Sequence, residues 1–130
     1  MFNNFGFIGS KILKDAEEER KELSHPYVGS EHLLLAILKN SSEIKEHLED
    51  FGLTYKKFKE ELINVVGTSK KNIDVNLYTP LLKRILSNAL SDAKENNKGI
   101  VTESHLLVAL LDEGEGIAIR IMIGMDINLD

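Results

Sequence analysis

The stretch VGSEHLLLAILK, from Val28 to Lys39, recurs as VTESHLLVALLD, from Val101 to Asp112. The pairs His32/His105, Leu33/Leu106, Leu34/Leu107, Ala36/Ala109 and Leu38/Leu111 all stand 73 residues apart. A fixed offset over a whole apolar helical pattern marks an internal duplication. It restricts the chain to folds in which one helical unit is used twice.

The same register extends outward, pairing Ile12 with Ile85, Leu13 with Leu86 and Ala16 with Ala89. Apolar positions Ile8, Ile12, Leu13, Ala16 and Leu23 predict a first helix, with the charge run DAEEERKE on its solvated face. His25-Pro26 ends it, because a residue before proline is pushed out of the α region. Gly29-Ser30 is expected to turn the chain and cap a helix that is apolar nearly all round (Leu33, Leu34, Leu35, Ile37, Leu38), and such a helix belongs at the centre of a bundle. The duplication predicts an equivalent central helix in the second copy.

After a break at Asn40-Ser41-Ser42, a third helix presents Ile44, Leu48 and Phe51 and stops at Gly52. A fourth runs from about Tyr55 to Val66, with Phe58, Leu62, Val65 and Val66 apolar, and stops at Gly67. The polar stretch 68–77 reads as a linker. Tyr78-Thr79-Pro80 then starts a helix, with Thr79 as N-cap and proline at the first helical position. That helix carries Leu82, Ile85, Leu86, Ala89 and Ala93, and Asn96-Asn97-Lys98-Gly99 closes it. The second central helix follows, and IAIRIMIG makes a short helix whose end at Gly124 is matched to Gly52.

The expected fold is therefore all-α: a pseudo-twofold duplicated bundle forming one domain over 1–130. Repeat one spans 1–67, the linker 68–77 and repeat two 78–130, each repeat having about four helices. The second copy lacks its last helix, so the natural protein is expected to continue past Asp130. No stretch alternates long enough to be a strand.

With aromatic residues at 6%, the core has to be aliphatic. A net charge of −5 argues against nucleic acid, which requires a basic face. The absence of cysteine excludes disulfides and thiolate chemistry. No apolar run approaches the ~20 residues of a membrane span, and the start, MFNNFGFIGSK, does not resemble a secretory signal, which makes the cytoplasm the default compartment. His25, His32, His47 and His105 show no tight metal-ligand spacing. The aromatic arm Phe2, Phe5, Phe7 either folds back on the first helix, the reading preferred, or offers a contact surface.

The text H-x-x-[VI]-G-[ST]-E-H-[LI]-L-L at His25–Leu35, the start Tyr78-Thr79-Pro80 and the turn D-E-G-E-G-I-A at Asp112–Ala118 together resemble the Clp N-terminal domain, the leading module of Clp-type AAA+ unfoldases, nearest the ClpC branch. The resemblance covers nearly the whole chain. It implies a non-catalytic recognition module that docks adaptor proteins and protein substrates for a hexameric unfoldase, which can feed a Clp peptidase. ATP and magnesium would belong to later domains, since this chain has no G-x-x-x-x-G-K-[ST] loop. The isolated domain is expected to be monomeric.

The ClpC-like branch also implies recognition of arginine-phosphorylated substrates. A phosphoarginine guanidinium suits a carboxylate fork, and its phosphate suits donors at a helix N-terminus. Carried onto this sequence, the carboxylate is Glu31, flanked by Val28 and Ser30, and the phosphate-side hydroxyl is Thr79. In the second copy the acid position holds Ser104, with Glu103 one residue early and about 100° away around a helix. Gly6 stands where Thr79 stands in the first site. One site around Glu31 and Thr79, with a degraded twin, is the resulting expectation.

Simpler readings stand beside it. Acids and threonines favour helix starts for capping and dipole reasons alone, and His32 and His105 read as hydrogen-bonded structural residues. Two other functions compete: a free-standing helical interaction or adaptor module without an ATPase, and, more remotely, a small hydrolase using Glu31 and His32. The second lacks a nucleophile, an anion loop and a metal set.

Overall fold

The computed structural model describes residues 5–40, 42–68, 75–96 and 99–127. Phe2 of the aromatic arm, the break at Ser41, linker positions 69–74, the Asn97-Lys98 stop and residues 128–130 lie outside the described residues. The elements are α1 (Phe7–Leu23), α2 (Ser30–Lys39), α3 (Glu43–Asp50), α4 (Tyr55–Val66), α5 (Pro80–Asn96), α6 (Glu103–Glu113) and α7 (Ile117–Gly124).

The duplication is visible in these bounds. Both ends of α1 map onto both ends of α5 at the 73-residue offset, and the start of α2 maps onto the start of α6. Because α6 runs one residue longer, α3 maps onto α7 at 74. Three helix starts are capped by side-chain oxygens: Ser42 Oγ accepts from the Lys45 N–H at 3.1 Å, Thr54 Oγ1 from Lys57 at 3.2 Å and Thr79, the cap expected from the sequence, from Leu82 at 3.0 Å. Each contributes about 1 kcal/mol.

Helix α2 is the hub. Every residue from Ser30 to Leu38 is buried, and all six other helices pack against it. Helix α6 has nearly the same apolar text but buries only Glu103, Leu106, Ala109 and Leu110. Leu34 and Leu35 are sealed in, whereas their counterparts Leu107 and Val108 are half-buried and exposed. The two central helices are thus not equivalent. The cause is α4, which lies against α2 and α7 and has no counterpart among the described residues.

Several apolar positions fall elsewhere than their spacing suggests. Ile8, Phe51, Val65 and Val66 are exposed, because they sit in the terminal turns of their helices or just past them, beyond the reach of the neighbours. The aromatic arm divides: Phe5 is buried and Phe7 points out. The charge run of α1 is not all solvated, since Glu19 and Arg20 are fully buried. Tyr55 Oη donates to Glu19 at 2.7 Å, Lys59 and Lys39 pair with the same carboxylate, and Arg20 Nη2 donates to Asn76 Oδ1 at 2.7 Å. Side chains from α4 thereby fasten that end of α1.

The residue that closes α7 as Gly52 closes α3 is Asp126, not Gly124. Gly52 N–H donates to Glu49 O and Leu53 N–H to Leu48 O; Asp126 donates to Ile123 O and Ile127 to Met122 O in the same pattern. Asp126 adopts the left-handed conformation this requires, with φ 61°.

Candidate functional site

One residue joins the two repeats at the foot of α2. Val28 donates its backbone N–H to Leu77 O at 2.7 Å and accepts at its carbonyl from the Thr79 N–H at 2.9 Å. This isolated parallel bridge between Val28 and Tyr78 sets the first turn of α2 beside the first turn of α5. Tyr78 Oη donates to Glu17 Oε2 at 2.8 Å, fixing the bridge to α1. Gly116, the N-cap of α7, completes the corner. Its φ is +101°, and a Cβ there would collide with Leu81 Cδ2 and lie 3.2 Å from Ser30 Oγ. Three helix N-termini, each with partial positive charge, therefore converge on one corner of an acidic protein.

Four of the five residues expected at the site, Val28, Ser30, Glu31 and Thr79, stand at this corner, and the fifth, Glu103, stands at the other. Glu31 is only 8% exposed. Its carboxylate curls back over Gly29, so closely that any Cβ at position 29 would collide with Oε1. Burial raises the Glu31 pKa above the usual carboxylate value, against the opposing pull of its own backbone N–H and of His25. Ser30 is not a cap: Gly29 holds the N-cap position and Ser30 is the first helical residue. Its Oγ is buried with no hydrogen-bond partner among the described residues. Thr79 is half-buried and caps α5, so its oxygen accepts from Leu82 while its own O–H is available to donate. Val28 contributes through its backbone.

The two histidines of this corner form a relay. Gly29 N–H donates to His32 Nδ1 at 2.9 Å, which puts the His32 proton on Nε2. That nitrogen lies 2.8 Å from His25 Nδ1, and His25 Nε2 in turn lies 2.8 Å from Gly67 O. With both rings neutral every donor meets an acceptor. Burial first, then the repulsion that a protonated His32 would meet from a protonated His25 and from Arg20, pushes the His32 pKa down to about 3. Because both His32 nitrogens are committed and the ring is buried, the Glu31/His32 hydrolase reading fails: no face of the imidazole meets a substrate. His105 plays the equivalent structural part, accepting from Thr102 N–H at 3.0 Å.

The second corner is built on the same plan with other side chains. Thr102 replaces Gly29, and its Cβ occupies the space into which a carboxylate at position 104 would have to curl. The acid stands instead at Glu103, the register partner of Ser30, and is buried, whereas Ser104 is exposed. Both line a cavity of about 330 Å³ whose other walls include Gly6, Phe7, Ile8, Ile44 and Ile100. The sequence did not reveal that Ser30 and Glu103, at matching positions, would each hold a buried oxygen without a partner among the described residues. It also missed Leu81 and Gly116; the D-E-G-E-G-I-A turn was the available signal for the latter.

Among the described residues no three histidine, aspartate or glutamate side chains are grouped to hold a metal. Among the described residues no helix is long and apolar enough to cross a membrane.

Residues 9–123 match the family described as the Clp repeat (R) N-terminal domain. The chain is 32% identical over 99% of its length to the ATP-dependent Clp protease ATP-binding subunit ClpC of Staphylococcus aureus, and equally to that of Staphylococcus saprophyticus. It spans 16% of the length of these curated relatives. Its fold is that of the N-terminal domain of the Clp-associated chaperone ClpD from Arabidopsis thaliana (TM-score 0.81, 19% identity, 99% of this chain and 89% of that one). The Hsp104 N-terminal domain of Candida albicans is similar (TM-score 0.79, 17% identity, 98% and 85%). So is a ClpV N-domain in complex with a VipB peptide (TM-score 0.66, 22% identity, 91% and 75%). The duplicated helices, the corner they build and the match over residues 9–123 agree: this chain belongs to the Clp repeat N-terminal domain family, the non-catalytic leading module of Clp-type ATPases.

Proposed function

We propose that the chain is the substrate- and adaptor-recognition module of a ClpC-like unfoldase in the cytoplasm, and that its first corner reads phosphoarginine. The carrying observation is the Val28 bridge, which sets the buried Glu31 helix start beside the Thr79 cap of α5. The guanidinium docks on the Glu31 carboxylate, and the phosphate takes the Thr79 hydroxyl and the Leu81 N–H at the start of α5, where Pro80 has no N–H and Leu82 already donates to the Thr79 cap. Burial makes the Glu31 charge costly without a partner, so an arriving cation relieves that cost. A ClpV N-domain takes up a VipB peptide, and by analogy of fold this chain presents its corner to peptide segments.

In this reading the domain, in repeats 1–67 and 78–130 about a linker at 68–77, is monomeric by itself. It delivers substrates to a parent hexamer whose later domains use ATP and magnesium, with a Clp peptidase downstream. Calorimetry with free phosphoarginine tests the site. One site is expected, removed by Glu31→Ala and weakened by Thr79→Ala, with free arginine binding far more weakly. Two equal sites, or none, would overturn the phosphoarginine reading.

A further inference from the structure

We propose that the second corner docks an unphosphorylated peptide segment that pairs an apolar side chain with a lysine or arginine. The proposal rests on the reading of the chain as a recognition module but not on the phosphoarginine site.

Three large apolar side chains border the open, roughly 330 Å³ cavity and stay largely in solvent: Phe7, 83% exposed, Ile8, 52%, and Ile100, 50%. Ile44 forms a further wall. Clustered exposed apolar side chains of this kind mark a contact surface. Among them lies one carboxylate. Glu103 is 7% exposed, lines the cavity, and its Oε2 has no partner among the described residues. A buried acceptor of this kind is costly until a donor arrives, and a cationic N–H is the donor that also matches its charge.

The phosphate half of the first site is absent here, because Gly6 has no hydroxyl to offer. Gly6 occupies the register of Thr79, and a Cβ on Gly6 would come within 3.0 Å of Ile100 Cγ2. A dianionic phosphate at this corner would shed water against Phe7, Ile8 and Ile100 while facing the Glu103 carboxylate. A basic segment, by contrast, is drawn to a protein of net charge −5. What fits is a leucine-like side chain in the cavity with the neighbouring ammonium or guanidinium on Glu103.

The test is an NMR titration of the 130-residue chain with a capped peptide holding one leucine followed by one lysine in a glycine–serine frame. Saturable shifts are expected at the amides of Ile8, Ile100 and Ser104. Ile8→Asp, at an exposed position that folding tolerates, and Glu103→Gln should each weaken binding about tenfold or more. Glu31→Ala should leave it unchanged, and replacing lysine by glutamate in the peptide should abolish it. Absence of saturable shifts at this corner would overturn the proposal. So would indifference to both variants, or tighter binding of a phosphoarginine peptide here than of the lysine peptide. If phosphoarginine fails to bind at Glu31 while the leucine–lysine peptide still titrates this corner, the phosphoarginine reading falls and the present one stands.

Discussion

Helices α2 and α6 share one apolar text but differ in surroundings. In the first repeat α4 covers the outer face of α2 and its side chains hold Glu19 of α1; in the second repeat the matching face of α6, with Leu107 and Val108, carries no such cover among the described residues. The corners differ in parallel. Gly29 leaves space for the Glu31 carboxylate to fold back, whereas Thr102 fills that space and the acid sits one residue earlier at Glu103. A duplicated core pattern therefore guarantees two helices in the same places. It guarantees neither equal burial nor equal chemistry at their feet, because both are set by what packs outside the pattern.

The largest contrast should appear in stability. Leu35→Ala empties a sealed core position and is expected to cost about 2–5 kcal/mol in chemical denaturation. Its counterpart Val108→Ala, 48% exposed, should stay within about 0.5 kcal/mol. Equal losses would mean that α6 is covered in solution as α2 is.

Acid titration probes the first corner next. The fold holds the His32 pKa near 3, against an ordinary 6.5, so the unfolded chain binds a proton that the folded one refuses. Stability is full above pH 6.5 and should fall as pH drops from 6.5 towards 3, by on the order of a few kcal/mol. Glu31 acts in the opposite sense. Its raised pKa means that the cost of its buried charge is present at neutral pH and is relieved as pH falls through the raised value. Thermal melts across this range in wild type and Glu31→Gln should show a steeper loss in the variant, since the compensating group is gone. A flat profile in Glu31→Gln, where nothing offsets His32, would contradict the neutral relay.

Gly29→Ala sharpens the contrast between corners. The added methyl displaces the Glu31 carboxylate, so phosphoarginine binding by calorimetry should weaken by about tenfold, roughly 1.4 kcal/mol. The leucine–lysine titration of the second corner should not change. Thr79→Ala removes the α5 cap and should cost about 1 kcal/mol of stability. The smallest effect is that of Glu31→Gln at neutral pH: a slightly higher melting temperature together with lost phosphoarginine binding. That combination identifies a charge kept for a ligand rather than for the fold.

Helix positions were largely legible in the sequence. The span Tyr55–Val66, the Thr79-Pro80 start and the 73-residue register all follow from periodicity and capping chemistry, which are local. Position along a helix explains Ile8 and Phe51: apolar spacing marks a face but not how far along it a neighbour extends. Ser30 has the composition of a cap, but the residue before it took the cap position and the His32 ring took over acceptance of the Gly29 N–H. Glu19 and Arg20 resembled a solvated face because their partners, Tyr55, Lys59 and Asn76, are distant in the chain. At the candidate site, the family pattern pointed to Glu31 and Thr79 and the Val28 bridge explains their proximity. That Glu103 would sit in a cavity depended on Phe7, Ile8 and Ile100 meeting there, which no local pattern encodes.

The Val28 bridge is made of main chain at all three of its residues: one N–H, one C=O, and their partners at Leu77 and Thr79. This link between the repeats therefore does not pass through the side chains at positions 30, 31 or 79. Substitutions at positions 30, 31 or 79 can change what is recognised without unfastening the repeats. A scaffold fixed by peptide groups lets its ligand preference drift one residue at a time, and a molecule that carries two such corners can vary one while the other keeps working.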